Sequence, residues 1–511
     1  MKLRALLCAS FLLLAAGLRI PRLAERPMHA DEAVLADKLG TLVETGVWRY
    51  DPRDHHGPVL PYLSAVAVRL AGAHSYTGFT ETMLRIVPAL SGLLLVLVPL
   101  LSARWLGWTQ AVAASILTSV SPAMVYYSRY YIPEMVLTCL TAGLIVAWYR
   151  YQCGGSIGWV LCAGLLSGLM FASKETAVIA IGCMMLAAGL TARRKLPSWR
   201  HVLPGLAVAV VVIAGLMGGP AAFQALGTNL HRAVQDQRHV HPWYYYLRLL
   251  LFSPGSGGSF WSEGLILALA AVGITAAFFK GWLAGLDRGL VRLLVVYTLS
   301  MTAAYSVIPY KTPWCLLGFL YGMILLAGVG VAALAQMRSR AVRVAASAVV
   351  AVCAAHLLYQ AVLASLVYPS DPRNPYAYAH TTKDVYAIRD RLEGLAAADP
   401  QGKQMRIQVL SRENVWPLPW YLRSFSHVEW WRGIDEQMRP ASVIIASPDM
   451  EAVLAHKLYE VPPPGERPLY VSMFRRAIEL RPGVELTGYV KQNVWDAYLR
   501  TKGDREDGFN R

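Results

Sequence analysis

The chain has 511 residues, of which 55% are hydrophobic and only 16% are charged, against about 25% charged residues in soluble proteins. Its formal net charge is +16. Residues 1–366 carry nearly all of the excess, with 28 Lys and Arg against 13 Asp and Glu, while residues 367–511 hold 20 against 19. This pattern excludes an ordinary soluble protein. It also argues against a nucleic-acid partner, because the basic residues follow the apolar segments.

Apolar segments of nearly membrane-spanning length, which is about 20 residues for a helix, recur along the first 366 residues. They are 5–20, 84–103, 109–126, 132–149, 156–172, 175–192, 202–218, 262–279, 291–308, 314–335 and 342–365. The sequence therefore predicts a polytopic α-helical membrane protein with about eleven transmembrane helices. Residues 1–366 form the transmembrane domain, and residues 367–511 form a soluble α/β domain.

The basic residues indicate the orientation of these helices. With the N-terminus in the cytoplasm, the inner loops hold Arg104, Arg150, Arg193, Arg194, Lys195, Arg200, Lys280, Arg288, Arg292, Arg338, Arg340 and Arg343. Cytoplasmic loops are enriched in Lys and Arg, so we expect a plasma-membrane protein whose C-terminal domain is extracytoplasmic. The first segment lacks a signal-peptide cleavage site and is expected to remain as an anchor. All seven cysteines lie in or beside the apolar segments, so no disulfide framework is expected.

The first extracytoplasmic loop, at about residues 21–83, carries adjacent carboxylates at Asp31 and Glu32. Carboxylates close to hydrocarbon cost free energy, which favours a chemical role. Alternatively, Asp31 is the N-cap of a helix, a role that leaves Glu32 unexplained. Beyond them, residues 32–45 have helical spacing and residues 57–72 are apolar but broken by prolines. Both are predicted to be short helices in the membrane interface.

The remaining candidate site residues form four further polar clusters, all on the predicted outer face. These are 51–58 with His55 and His56, 128–134 with Arg129 and Glu134, 173–175 with Lys174 and Glu175, and 309–314 with Tyr310, Lys311 and Trp314.

In the soluble domain, residues 405–410, 442–446 and 470–474 are predicted to be strands, and residues 450–459 are predicted to be a helix.

Each cluster also allows a structural interpretation. Glu134 follows a proline at the start of a helix, where a carboxylate is favourable, and Arg129 could then be its surface partner. Lys174 and Glu175 lie between two apolar runs and could pair at the membrane surface. Lys311, held between two prolines, suits a lipid phosphate, although a helix break beside an aromatic belt has the same pattern.

Histidines raise the question of a metal. His56, beside His55, and the pair His239 and His241 could be ligands, although histidines in loops are more often ordinary surface residues. With Asp31 or Glu32 they would form an oxygen and nitrogen site of the kind that zinc or manganese occupies. The sequence requires no cofactor, and a divalent metal is the one candidate.

Together the clusters predict carboxylates and cations on one face of the membrane. A carboxylate can act as general base on an acceptor hydroxyl, and Lys or Arg can bind a phosphate leaving group. Nucleotides are scarce outside the cell. The predicted donor is therefore a polyprenyl-phosphate-linked sugar, bound among membrane lipids.

The ordered motifs resemble those of GT-C glycosyltransferases, in the branch of protein O-mannosyltransferases and lipid A aminoarabinose transferases. The motifs are His29-x-Asp31-Glu32, Tyr50-Asp51-Pro52, His56-Gly57-Pro58, Ser128-Arg129-x4-Glu134, Lys174-Glu175-Thr176, Pro309 to Trp314, and Trp416 to Tyr421. They are most similar to the flippase-activity-associated proteins of archaeal-type N-glycosylation.

The resemblance implies that Asp31 is the base for an inverting attack at the sugar C1, and that Glu32 orients the acceptor or the base. It also implies that Glu134 is a second acidic site residue. Arg129, Lys174 and Lys311 are inferred phosphate contacts, with His29, His55, His56, Glu175, Tyr310 and Trp314 as further substrate-binding candidates. The acceptor would be a lipid, a glycan or a protein. The alternative functions are a non-catalytic accessory protein or translocator of lipid-linked sugars, and a membrane-anchored sensor or scaffold.

Overall fold

The computed structural model describes residues 2–51, 56–192, 196–218, 220, 224, 227–228, 239–254, 260–279, 286–435 and 438–508. Their contacts divide the chain into two compact units. The first comprises Met1–Ala24, Lys38–His74 and Phe79–Tyr378, and the second comprises Glu25–Asp37, Ser75–Gly78 and Ala379–Arg511. Two pieces of the predicted outer loop therefore belong to the same unit as the C-terminal part of the chain.

Helices form most of the first unit. They are Lys2–Arg19, Val59–Leu70, Glu81–Leu101, Ala103–Leu106, Trp108–Val120, Pro122–Tyr127, Glu134–Gly154, Ile157–Ser173, Ala177–Thr191, Trp199–Met217, Tyr245–Leu251, Gly264–Phe278, Arg288–Val307, Leu317–Ala335 and Arg340–Val362. A 3₁₀ turn, Pro313–Leu316, precedes the helix Leu317–Ala335, and a π-helical segment, Leu363–Val367, ends the last one. A two-residue antiparallel ladder joins β1 (Ser253–Pro254) and β2 (Phe260–Trp261).

All eleven predicted apolar segments are helical in the structure. Among the described residues, five helices are long and apolar enough to cross a membrane: Glu81–Leu101, Trp199–Met217, Arg288–Val307, Pro313–Ala335 and Arg340–Val367. Five more apolar helices are shorter, at 10–17 residues: Leu6–Arg19, Val59–Leu70, Ile157–Ser173, Ala177–Thr191 and Gly264–Phe278. The number of spans and their orientation stay predictions. The runs 193–195 and 280–285, which hold several of the predicted inner basic residues, lie outside the described part.

The helices of the first unit pack through small residues, as is common in membrane proteins. A Cβ added to Gly273 would lie 2.1 Å from the Leu326 carbonyl oxygen, and one added to Gly330 would lie 2.0 Å from that of Leu269. The helices Gly264–Phe278 and Leu317–Ala335 can approach this closely only because both positions lack a side chain. The helix Leu317–Ala335 is buried along most of its length.

The second unit is built on a mixed sheet. Its strands are β3 (Ile407–Leu410), β4 (Val428–Trp431), β5 (Val443–Ala446), β6 (Tyr470–Ser472), β7 (Ile478–Arg481) and β8 (Val484–Lys491). The order is β4-β3-β5-β8-β6, with β7 paired to β8. Strand β3 is parallel to both of its neighbours, and β8 is antiparallel to all of its own. The fully buried strands β3 and β5 lie where apolar runs predicted strands.

The other elements of the second unit are helices: Val385–Ala398, Leu418–Leu422, Glu451–Ala455 with its π-helical extension His456–Glu460, and Gln492–Gly508. The predicted helix at 450–459 corresponds to the third of these. Trp420 and Tyr421, from the motif Trp416 to Tyr421, are buried, whereas Trp430 on β4 is exposed. In the first loop the predicted short helices are present as Ala30–Thr45 and Val59–Leu70. Their position relative to the membrane interface stays a prediction.

The segment that follows the last helix of the first unit is fixed by hydrogen bonds. The Tyr126 hydroxyl donates to the Pro369 carbonyl at 2.8 Å, and the Tyr127 hydroxyl donates to the Tyr376 carbonyl at 2.9 Å. The chain therefore enters the second compact unit only after Tyr378. The predicted domain boundary at residue 366 is an estimate from composition and stays a prediction.

Candidate active site

The acidic motif lies at the start of the helix Ala30–Thr45, in the second unit. Glu32 is completely buried. Its Oε1 accepts from Arg26 Nη2 at 2.8 Å, and its Oε2 accepts from the backbone N–H of His29 at 2.8 Å. A glutamate that reaches back to the residue before the helix is one half of a capping box. The interpretation of Asp31 as the N-cap is therefore wrong. The helix begins at Ala30, one residue before Asp31, and it is Glu32 that accepts the backbone N–H of His29.

Asp31 differs from Glu32 in its access to solvent. Its side chain is 59% exposed, and its Oδ2 lies 3.8 Å from His29 Nδ1. The backbone N–H of Asp31 donates to the same Nδ1 at 3.2 Å, so this imidazole nitrogen is an acceptor. The Asp31 carboxylate is therefore accessible to solvent, whereas that of Glu32 is not.

Glu134 and Lys174 form a buried ion pair in the first unit. Lys174 Nζ donates to Glu134 Oε1, and both side chains are more than nine-tenths buried. Burial by itself lowers the pKa of Lys174, but the Glu134 carboxylate outweighs it and raises the pKa above its ordinary value. The two pairings suggested by the sequence are wrong, although Glu134 does begin the helix Glu134–Gly154 after Pro133. The partner of Glu134 is not Arg129, and Lys174 does not pair with Glu175.

Glu175 accepts hydrogen bonds from two residues of the first loop. The Tyr50 hydroxyl donates to Oε1, and His56 Nδ1 lies 2.9 Å from Oε2. Burial raises the pKa of Glu175, but the charge and hydrogen bond of His56 and the Tyr50 hydroxyl together bring it below the ordinary value. Glu175 therefore stays ionised at neutral pH and fixes His56, which is itself about one-third exposed. His55 lies outside the described residues.

Arg129 donates to backbone carbonyls. Nη1 contacts the carbonyl of Arg19 at 3.0 Å, and Nη2 contacts that of Arg22 at 3.1 Å. Arg19 is itself fully buried and donates to the carbonyls of Thr118 and Ser119. These bonds tie the end of the first helix to the segment before Glu134. A phosphate contact of Arg129 stays a prediction.

Lys311 is buried next to carbonyl groups. It is 1% exposed, and its Nζ donates to the carbonyls of His241, at 3.3 Å, and of Ile308. Burial lowers the pKa of Lys311. A single bridge between Val240 and Tyr310 aligns the two segments, and Lys311 N–H donates to the His239 carbonyl at 2.9 Å. The structure thus confines an ammonium group whose hydrogen bonds to the described residues are all to neutral carbonyls.

The aromatic residues around Lys311 come from three parts of the first unit. His239 Nδ1 lies 2.6 Å from the Tyr378 hydroxyl, the His241 ring stacks on Tyr245 at 4.3 Å between centroids, and Trp314 is buried against Tyr378 at 6.0 Å. His239 and His241 are therefore held by aromatic neighbours. Among the described residues, no group of three or more His, Cys, Asp or Glu could hold a metal ion. The candidate metal ligands His56, His239 and His241 stay predictions.

Glu263 is a buried carboxylate that the sequence interpretation did not single out. It precedes the helix Gly264–Phe278 and accepts from Ser121 Oγ at 2.7 Å, from the Ala123 N–H at 2.9 Å and from the Tyr376 hydroxyl at 3.2 Å. The sequence feature that could have identified Glu263 is its position as a single carboxylate at the start of an apolar segment. Its three donors lie more than a hundred residues away along the chain and could not be identified from it.

Comparison with known proteins adds to this geometry. Residues 55–218 match the model of the dolichyl-phosphate-mannose-protein mannosyltransferase family. Among solved structures, ArnT from Cupriavidus metallidurans bound to undecaprenyl phosphate is similar, with a TM-score of 0.63 and 16% identity. The match covers 95% of this chain and 98% of that one. The chain has the GT-C fold.

A second GT-C structure supports the same assignment. The archaeal oligosaccharyltransferase AglB from Archaeoglobus fulgidus, in complex with an inhibitory peptide and a dolichol-phosphate, has a TM-score of 0.58 at 13% identity. The match covers 87% of this chain and 69% of that one. No functionally curated protein is detectably similar in sequence. The predicted GT-C resemblance is confirmed as a fold and as that of a membrane protein, while the placement near the flippase-associated branch stays a prediction.

Proposed function

We propose that this protein transfers a sugar from a polyprenyl-phosphate-linked donor to an acceptor hydroxyl or amide on the outer face of the membrane. The observation that carries the proposal is the contrast within the acidic motif of a GT-C fold. Glu32 is buried and accepts a hydrogen bond at each carboxylate oxygen, while Asp31, the next residue, is exposed. A general base needs access to the acceptor, so Asp31 has this role and Glu32 holds the motif.

The proposed reaction is a single displacement. Asp31 accepts the proton of the acceptor group as its oxygen or nitrogen forms a bond to the sugar C1. The bond from C1 to the phosphate oxygen breaks, and the electron pair leaves with the polyprenyl phosphate. Attack from the face opposite the leaving group inverts the anomeric centre.

The departing phosphate needs a cation, and Lys311 is a better candidate than Lys174. Lys174 is already neutralised by Glu134, whereas the contacts of Lys311 among the described residues are to neutral carbonyls. A buried ammonium beside carbonyl groups gains most from an anionic ligand. The two similar structures hold undecaprenyl phosphate and dolichol-phosphate, ligands of the same class.

The test compares wild type with Asp31→Asn in the full-length protein purified in detergent. Each is incubated with solubilised membranes of a strain that lacks the gene, which supply donor and acceptor, and free polyprenyl phosphate is measured by mass spectrometry. We expect release by wild type and a loss of several orders of magnitude in Asp31→Asn. Glu44→Gln, which removes an exposed carboxylate from the same helix, is the matched control and keeps full activity.

Equal release by wild type and Asp31→Asn would contradict the assignment of the base. No release by folded wild-type protein, combined with movement of lipid-linked sugar across vesicles, would favour the translocator instead.

A further inference from the structure

The backbone just before the acidic motif is held by two side chains from the far end of the sequence. Met28 is fully buried in the second unit. Its N–H donates to the Tyr421 hydroxyl at 2.9 Å, and its carbonyl accepts from the Thr381 hydroxyl at 2.6 Å. Both backbone polar groups of this residue are therefore satisfied by partners more than 350 residues away.

The two hydroxyls are themselves fixed by packing. Tyr421 and Thr381 are 3% and 2% exposed. The Tyr421 ring meets Tyr386 edge-to-face at 5.8 Å, and the neighbouring Trp420 meets Tyr76 in the same way at 5.8 Å. Side chains locked in this manner can hold a backbone in one position, which mobile surface side chains cannot do.

Hydrogen bonds continue from Met28 to Asp31. The next residue, His29, donates its N–H to Glu32, and Glu32 also binds Arg26, so residues 26–32 form a closed turn. Asp31 lies inside this turn, on the first turn of the helix. The direction of its carboxylate therefore depends on where the backbone of Met28 is held.

We propose that Tyr421 and Thr381 are positioning residues for Asp31, so that the C-terminal sheet domain is part of the machinery of transfer. This inference rests on the proposed function. Removal of one hydroxyl takes one hydrogen bond away from a buried backbone group of Met28, and a shift of the turn would offset that loss. Because misplacement of a reacting group by about 1 Å can cost on the order of 100-fold in rate, we expect kcat to fall at least tenfold while the apparent KM for the donor changes little.

The experiment uses four full-length variants in the membrane-extract assay described above. Tyr421→Phe and Thr381→Val each remove one hydroxyl at nearly constant volume, and Thr381→Ser retains the hydroxyl. Tyr386→Phe is the matched control, because its hydroxyl also reaches this segment but donates only weakly to Glu25, at 3.3 Å and six residues before Asp31. Thermal stability and size-exclusion profiles are recorded for each variant, and kcat is measured from pH 5 to 9 alongside the KM.

We expect a reduced kcat in Tyr421→Phe and Thr381→Val, in protein that remains folded at the assay temperature. We also expect recovery in Thr381→Ser and a pH profile of kcat that is altered only where the hydroxyl is missing. Wild-type kcat in both hydroxyl-free variants, with Asp31→Asn inactive, would overturn the inference and leave the proposed function standing. An equal fall in Tyr386→Phe would also overturn it. Full activity of Asp31→Asn would remove the proposed function and this inference together.

Discussion

The buried ion pair between Glu134 and Lys174 allows a quantitative prediction. In Lys174→Met the Glu134 carboxylate loses its cation, and its second oxygen, Oε2, has no hydrogen-bond partner among the described residues. Removal of one partner of a buried pair typically costs about 3–5 kcal/mol. Because both side chains are more than nine-tenths buried, solvent screening will not reduce this cost much, and we expect Lys174→Met to lose an amount in this range.

The double variant Glu134→Leu/Lys174→Met separates the pair energy from the cost of an isolated charge. Replacement of a whole buried pair by apolar residues is often neutral or stabilising. We therefore expect the free energy of unfolding of the double variant to exceed that of Lys174→Met by at least about 3 kcal/mol. This brings the double variant close to wild type.

The assay is equilibrium unfolding of the full-length protein in mixed micelles, with wild type, both single variants and the double variant as a double-mutant cycle. Lys403→Met is the control, because Lys403 and Glu393 form a pair at 2.9 Å whose side chains are about half exposed. Exposed pairs are worth about 0–1 kcal/mol. If Lys174→Met costs no more than Lys403→Met, the reasoning from burial is refuted.

Three further predictions concern Glu175, Gly57 and Lys311. Glu175→Gln loses stability at neutral pH. The folded-state pKa of Glu175 lies below its ordinary value. The stability difference between wild type and Glu175→Gln is therefore complete above about pH 4.3, the ordinary pKa, and shrinks as the pH falls through the folded-state pKa. Thermal unfolding of both proteins at pH 7 and pH 3.5 measures this difference, and the same difference at both pH values would contradict the prediction. Gly57→Ala places a Cβ 2.1 Å from the Ala172 carbonyl oxygen and is expected to lower the melting temperature, whereas Gly182→Ala, with open space around it, is expected to be neutral or stabilising. Undecaprenyl phosphate is expected to raise the melting temperature of wild type, and an equal rise in Lys311→Met would exclude this lysine as the phosphate contact.

The positions of the helices could be predicted from the sequence because hydrocarbon imposes a strong local rule. A segment inside a bilayer must satisfy its own backbone groups, so a long apolar run becomes a helix whatever its neighbours are. The runs at 84–103 and 314–335 correspond to the helices Glu81–Leu101 and Leu317–Ala335 for this reason. In the sheet domain, β3 and β5 were predicted from the strand-like sequences at 405–410 and 442–446. The strand β8 alternates buried and half-exposed residues, but its sequence also includes a glycine and several polar residues, and it was not predicted.

The candidate site was predictable as a set of residue types and not as a set of partners. Asp31, Glu32, Glu134, Lys174 and Glu175 were all selected from the sequence because charges near hydrocarbon are costly and need a reason. Which of them is accessible could not be read from the chain. Glu32 and Asp31 are adjacent, yet one is completely buried and the other is largely exposed, because a helical turn points consecutive side chains in different directions.

The sequence by itself determined that this protein is a helical membrane protein with a mixed α/β domain, and it located the charged clusters. The tertiary structure decided which residues pair. Lys174 binds Glu134, which is 40 residues away in the sequence, although Arg129 is only five residues from Glu134. Tyr421 and Thr381 hold Met28 across more than 350 residues. Apolar length and periodicity act within one segment, whereas the partner of a buried charge or backbone group is whichever donor the packing of distant segments brings within 3 Å.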